Sequence, residues 1–119
     1  INDAHGHEAG DAVLRELSRL ISDYLRASDR LFRIGGEEFV LLLPGADVEG
    51  MHARMENLRA RIESNLRCRG EMVTASIGAS AWQRGDTATT WLMRADAAMY
   101  RAKGKGRNRV VVHGLSALA

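Results

Sequence analysis

The spacing of apolar positions changes several times along this chain, and each change marks an element. Val13, Leu14, Leu17, Leu20, Ile21, Tyr24 and Leu25 recur every three to four residues. That is one face of an amphipathic helix, predicted over residues 9–27 after a loop-like, polar opening. Two short strand-like runs follow, at 31–34 and 39–43, with Gly35-Gly36 between them. Glycines accept positive φ without a Cβ clash, so this pair predicts a two-residue hairpin turn. Pro44-Gly45 ends the hairpin. A second helix is predicted over 48–67, with Met51, Met55, Leu58, Ile62 and Leu66 on one face and Asp47 as its N-cap.

Further along, Val73, Ala75, Ile77 and Ala79 alternate with Thr74, Ser76 and Gly78, which predicts one strand over 71–80. A turn at Arg84-Gly85-Asp86 leads to a third helix over 89–103. Gly104 and Gly106 break that helix, and Val110 to Val112 form a last short strand. The order α-β-β-α-β-α-β predicts an α+β fold, with helices packed on a mostly antiparallel sheet. Trp82, Trp91, Met93 and Met99 read as packing residues near the third helix.

Composition narrows the picture. The 119 residues are 45% hydrophobic and 27% charged, ordinary for one globular domain or part of one. Cys68 is the only cysteine, so no intrachain disulfide forms, and a reducing, cytoplasmic setting fits. The longest apolar run, 39–43, is far too short to span a bilayer, and no membrane contact is expected. A formal charge of +2 argues against bulk binding of nucleic acid. The charge is uneven, however: between Arg94 and Arg109 stand six basic residues and one acid, Asp96. Such a cluster suits a few phosphates better than a long polyanion. A nucleic-acid reading of "KGKGRNR" lacks the interleaved stacking aromatics that single-strand binders use.

An ordinary hairpin has no use for two acids directly after its turn, yet Glu37 and Glu38 stand there. "GGEEF" at Gly35 to Phe39 resembles the signature of the GGDEF domain family, the diguanylate cyclases. "INDAHGHEAGD", "TASIGAS" and "ADAAMYRAKGKGRN" resemble the flanking motifs of that family in order and spacing. The resemblance covers essentially the whole chain. It implies a nucleotidyl-cyclase-like fold of the ferredoxin-like, palm type, with a central sheet flanked by helices. It also implies a reaction: two GTP molecules condense to cyclic di-GMP, releasing pyrophosphate, on a homodimer in which each domain presents one GTP. Phosphoryl transfer of this kind needs charge neutralised and atoms held in line, so Mg²⁺ or Mn²⁺ with carboxylate ligands is expected.

By the same resemblance, Glu37 binds the metal and assists deprotonation of the attacking hydroxyl, with Glu38 beside it. Gly35 and Gly36 let backbone approach the nucleotide. Asn2 and Asp11 match guanine-reading positions. The chemistry suits them, because a carboxylate accepts from guanine N1–H and its 2-amino group together, and adenine offers no such donor pair. Taken alone, Asp11 would read as a first-turn acid favoured by the helix dipole. Lys103 and Arg107 match phosphate-binding residues; taken alone they would complement a helix C-terminus. Arg26-Ala27-Ser28-Asp29 matches an inhibitory product site of the pattern Arg-x-x-Asp. Fifteen arginines and seven aspartates make the bare pattern a chance event, so its weight is positional, just ahead of Gly35. A second arginine from the second helix, Arg54, Arg59 or Arg61, would complete it.

Against the family pattern the sequence starts inside a motif. A first strand with a metal-binding aspartate and a sensory or receiver domain are expected upstream, with or without a membrane sensor. The 119 residues by themselves are expected to be inactive or nearly so. The competing reading is a GGDEF-like domain without catalysis that senses GTP or cyclic di-GMP.

Overall fold

The computed structural model describes residues 6–35 and 38–114. Its elements are α1 (Gly6–Tyr24), β1 (Arg30–Gly35), β2 (Glu38–Leu42), α2 (Val48–Asn65), β3 (Arg67–Cys68), β4 (Glu71–Met72), β5 (Ser76–Ala79), α3 (Ala88–Gly104) and β6 (Arg109–Val112). The α+β class holds. Among the described residues the strands pair as three ladders: β1–β2 and β3–β4 antiparallel, β5–β6 parallel. The chain divides into two compact units. One holds α1, β1, β2, the end of α2, β3 and β4; the other holds most of α2 with β5, α3 and β6.

In the first unit, α1 buries Val13 and Ile21 and packs against β3. The helix begins at Gly6, earlier than its apolar stripe indicates, because a polar first turn leaves no mark in hydrophobic periodicity. Gly10, expected in the loop, is a buried helical residue. The helix also ends at Tyr24, three residues short of the expected 27. There the Asp29 carboxylate accepts from the Arg26 backbone N–H at 2.8 Å, and the Asp29 N–H donates to the Arg26 carbonyl at 3.0 Å. A side chain that offers the backbone a turn competes with helix propagation.

In the hairpin, Arg33 pairs with Phe39 and Gly35 with Glu38. Ile34 is therefore an extra residue, a β-bulge that shifts the register. Gly35 consequently belongs to β1 and not to the expected Gly35-Gly36 turn, while Gly36 lies outside the described residues. The expected strand over 71–80 is in fact two. Arg69 at φ 51° and Gly70 at φ 83° close the β3–β4 hairpin as a turn with two left-handed residues. Val73 then donates to the Leu66 carbonyl at 3.2 Å, and β5 starts afresh with β6 as partner. Alternation reports faces of a strand; it carries no information on a change of partner.

In the second unit, α2 is capped as expected: the Gly50 N–H donates to Asp47 Oδ1 at 2.7 Å. Its predicted stripe is buried: Met51, Met55 and Leu58 in this unit, Ile62 and, just past the helix end, Leu66 in the first. Each such side chain contributes about 1.5–3 kcal/mol relative to exposure. Thr87 caps α3 in a reciprocal box with Thr90, whose N–H donates to Thr87 Oγ1 at 3.2 Å while the Thr87 N–H donates to Thr90 Oγ1 at 3.0 Å. α3 packs on both β5 and β6 through Ala98 and Ala102, neither of which is exposed at all. Gly78 lets the two backbones meet, since a Cβ there would lie 2.5 Å from Met99 Cα and closer still to Met99 N and Ala95 O.

The segment before α3 is clasped to it. Trp91 Nε1–H donates to the Ser80 carbonyl at 2.8 Å and the Ser80 hydroxyl to the Trp91 carbonyl at 2.9 Å. Trp82 meets Trp91 edge to face, with ring centroids 5.3 Å apart. Of the four expected packing residues, two need correction: Met93, at 64% exposure, lies on the outer side of α3, and Trp82, although its ring meets Trp91, is itself 54% exposed. Asp86 is the hub of the clasp. It accepts from Arg94 through both terminal nitrogens, from the Gln83 N–H at 2.7 Å and from the Thr90 hydroxyl at 2.8 Å.

The Arg94 hydrogen bond is the chief reason that the Asp86 carboxyl titrates well below the ordinary carboxylate range. A depressed folded-state pKa contributes stability that is present above the unfolded pKa of about 4 and lost as pH falls through the folded value. Asp86→Asn is therefore expected to lower Tm near neutral pH and to weaken the acid-side decline of Tm below about pH 4. Parallel melting curves from pH 7 downward check this; an unchanged acid limb would remove Asp86 as its source.

Candidate active site

The site expected from the sequence draws on both units, and each part has its own geometry. In the hairpin, the bulge and the Gly35–Glu38 pair place the connection 36–37 at the end of the β1–β2 ladder. Gly36 and Glu37 lie outside the described residues, as does Asn2. The Gly35 and Glu38 backbones are paired strand residues at the end of the two-stranded ladder.

Asp11 is exposed on α1. Because the helix begins at Gly6, Asp11 lies in the second turn rather than the first. The helix dipole acts mainly within the first turn, so the dipole explanation of this acid loses its basis.

The other cationic part lies at the end of α3. The Arg107 N–H donates to the Ala102 carbonyl at 3.0 Å and the Gly106 N–H to the Lys103 carbonyl at 3.3 Å. This paired pattern, with Gly106 at φ 119°, is a Schellman closure of the helix. Its effect on chemistry is directional. The last carbonyls are occupied by backbone, so Lys103 and Arg107 are not needed as caps. Both side chains are exposed, and neither forms an ion pair with a described residue. Other arginines are engaged: Arg94 with Asp86 and Arg59 with Glu56.

The expected product site takes a particular form. Asp29 is buried at 6% exposure and back-bonded to Arg26, while the Arg26 side chain is exposed. Residues 83–86 repeat the device, with Asp86 bonded to the Gln83 N–H and its own N–H on the Gln83 carbonyl at 3.0 Å. The aspartate of Arg-x-x-Asp thus has a local structural duty whatever else it does. Of the three helix arginines left open, Arg61 lies over the Tyr24 ring at 5.2 Å, in the same unit as Arg26. Arg59 is committed instead to Glu56 and Asn108. Among the described residues no three His, Cys, Asp or Glu side chains gather as a metal cluster, and no helix is long and apolar enough to cross a membrane.

The family model "Diguanylate cyclase, GGDEF domain" matches residues 1–109. The chain belongs to the GGDEF domain family. Diguanylate cyclase DgcP of Pseudomonas aeruginosa is 41% identical over 115 residues, covering 94% of this chain and 17% of its own length. The response regulator PleD of Caulobacter vibrioides is 41% identical over 117 residues, covering 93% of this chain and 26% of its own. Among solved structures, the active GGEEF domain of a Vibrio cholerae diguanylate cyclase superposes with a TM-score of 0.86 at 33% identity, over 98% of this chain and 76% of that one. The GGDEF domain of DgcB from Caulobacter crescentus, solved in complex with c-di-GMP, matches with a TM-score of 0.86 at 31% identity, over 96% and 68%. This GGDEF chain spans between 17% and 31% of the length of the first curated relatives it matches.

Sequence reasoning missed two features. Asn108 was overlooked because its signal is weak: a residue tolerant of left-handed backbone after Gly-Arg. The Asp86–Arg94 clasp was overlooked because its partners stand eight residues apart on a turn and a helix, a spacing no single-element periodicity marks.

Proposed function

We propose that this chain is the catalytic domain of a diguanylate cyclase. In the reaction, the 3′-hydroxyl oxygen of one GTP attacks the α-phosphorus of another, the bond to the β-phosphate breaks, and pyrophosphate leaves. The hydroxyl proton goes to a carboxylate, for which Glu37 is the candidate. The second bond closes in the same way, so two GTP give one cyclic di-GMP and two pyrophosphates. The observation that carries this reading is the helix end at Lys103 and Arg107, where backbone closes the helix and leaves two cations open for a polyphosphate. With it goes the GGEEF sequence, whose two consecutive acids follow Gly35-Gly36.

Carboxylate oxygens are the donors a hard divalent cation prefers, so Glu37 and Glu38 fit Mg²⁺ or Mn²⁺. A single hairpin gives too few ligands for octahedral coordination, and a further carboxylate upstream is part of the proposal. When bound, the cation would neutralise phosphate charge. The chain's own residues do the rest: Asp11 and Asn2 read the guanine edge, Lys103 and Arg107 hold the triphosphate, and Gly35 and Gly36 admit the nucleotide close to backbone. Closing both phosphodiesters requires two domains facing each other, hence a homodimer, under the control of a regulatory domain in the cytoplasm.

The test is incubation of the intact protein with GTP and Mg²⁺, followed by chromatographic separation of nucleotides. Cyclic di-GMP is the expected product. If none forms even after a phosphodiesterase has stripped bound product, the cyclase reading falls and a nucleotide-sensing GGDEF domain takes its place.

Product inhibition is read through Arg26, whose exposed guanidinium is suited to stack on guanine. Arg26→Ala is expected to raise the cyclic di-GMP concentration needed for half-inhibition by about tenfold or more, as for loss of one charged hydrogen bond. Its Tm should hardly move. Asp29→Ala, by contrast, leaves a backbone N–H without its acceptor and should cost about 1–3 kcal/mol of stability. Inhibition curves beside melting curves separate the two; equal inhibition of the Arg26 variant and parent would dismiss the site.

A further inference from the structure

The loop that presents Arg107 is held in an unusual conformation. Gly106, Arg107 and Asn108 have φ of 119°, 64° and 46°, three successive residues in a region that residues with a side chain enter rarely. Its backbone is fastened at Arg107: the N–H is held by the Ala102 carbonyl at 3.0 Å, and the carbonyl accepts from Arg109 Nε at 3.1 Å. The next residue is fastened from another element. Arg59 on α2 donates from Nη1 to Asn108 Oδ1 at 2.9 Å and from Nε to Glu56 Oε1 at 2.5 Å. The Arg59 side chain is only 18% exposed. A planar guanidinium gripped along one edge by a carboxylate one helical turn away has little freedom, so its other edge is aimed at Asn108.

We propose that Arg59, oriented by Glu56, is a positioning residue for the phosphate-binding cation: it latches Asn108 in the left-handed conformation and thereby sets the direction in which Arg107 leaves the loop. The inference rests on the reading of Lys103 and Arg107 as the triphosphate site. Its physical basis is that a left-handed and a right-handed residue send their side chains in different directions, so a change of conformation carries the guanidinium away from the phosphate it would hold. Without the latch, 107 and 108 gain by relaxing to negative φ, and the Arg107 guanidinium swings away.

The test measures GTP affinity by titration calorimetry, with KM and kcat, on the intact protein. Asn108→Gly keeps the left-handed conformation accessible and removes the Oδ1 acceptor together with the rest of the side chain; Asn108→Asp restores the acceptor without the amide donor. Asn108→Gly is expected to weaken GTP binding about tenfold, the scale of one charge-assisted hydrogen bond, with a comparable rise in KM and a much smaller change in kcat. Asn108→Asp should bind within about twofold to threefold of the parent. Arg59→Gln should match Asn108→Gly, and the double variant should be no worse than either single one, as for two ends of one contact. In an Arg107→Ala background, Asn108→Gly should add nothing, which a merely stabilising role would not produce. Two results overturn the latch and leave the phosphate site standing: Asn108→Gly binding GTP like the parent while Arg107→Ala does not, or full additivity with Arg107→Ala. If Arg107→Ala and Lys103→Ala both bind GTP normally, the phosphate reading fails and the latch with it.

Discussion

Replacing Glu37 by alanine in the intact protein is expected to lower cyclic di-GMP formation by at least 100-fold to 1,000-fold, the scale on which removing one preorganised group facing a developing charge acts. Binding of GTP should fall far less, because the base and the phosphates are proposed to be held from Asp11, Lys103 and Arg107 on other elements. The separation of the two effects is the informative part. A group that acts only as attack proceeds lowers kcat, whereas uniform binding appears in KM. Steady-state kinetics at saturating GTP and Mg²⁺, beside direct GTP titration, distinguish these cases. Glu37→Ala turning over within tenfold of the parent would relocate the chemistry away from the hairpin. The bulge at Ile34 gives this prediction its structural sense. It moves Gly35 into the strand, paired with Glu38 directly after Glu37 in the sequence.

The largest effect on stability is expected at Gly78. Any side chain there meets α3 backbone: the first added carbon would sit 2.5 Å from Met99 Cα and nearer to Met99 N and Ala95 O. Backbone cannot step aside as the end of a flexible side chain can, so α3 must lift from β5. Overpacking of this kind costs on the order of 3 kcal/mol or more. Total stability of a domain is about 5–15 kcal/mol, so Gly78→Ala should shift the urea midpoint sharply or leave no folded protein. Gly104→Ala is the matched control, because a Cβ at Gly104 meets nothing within 4 Å, and its midpoint should stay near the parent's. A Gly78→Ala midpoint equal to the parent's would mean that α3 does not rest on β5 in solution.

These two positions also show what was legible beforehand. Where burial follows a regular period, the reading held: all five apolar residues of the α2 stripe are buried, and Asp47 caps that helix. Where a side chain redirects the backbone, it failed. Asp29 ends α1 early, the bulge at Ile34 draws Gly35 into β1, and a change of partner between β4 and β5 splits a strand that looks continuous. Gly78 was read as one residue of an alternating strand, since nothing local records that a helix crosses it. The proposed site is legible in a different way. Glu37, Asp11, Lys103 and Arg107 are named by spaced motifs rather than by any physical period, and the residues proposed to support Arg107 from elsewhere, Arg59 and Asn108, carry no such mark.

The Schellman end of α3 has one last consequence, for how the chain tolerates substitution. Arg107 occupies a backbone conformation that glycine adopts without penalty and arginine does not, at φ 64°, a difference of about 1 kcal/mol. Stability alone would favour glycine at 107, whereas the proposed phosphate contact requires the arginine. On that proposal, position 107 is a place where robustness and activity pull in opposite directions. A lineage released from the need to hold a nucleotide would be expected to lose this arginine early.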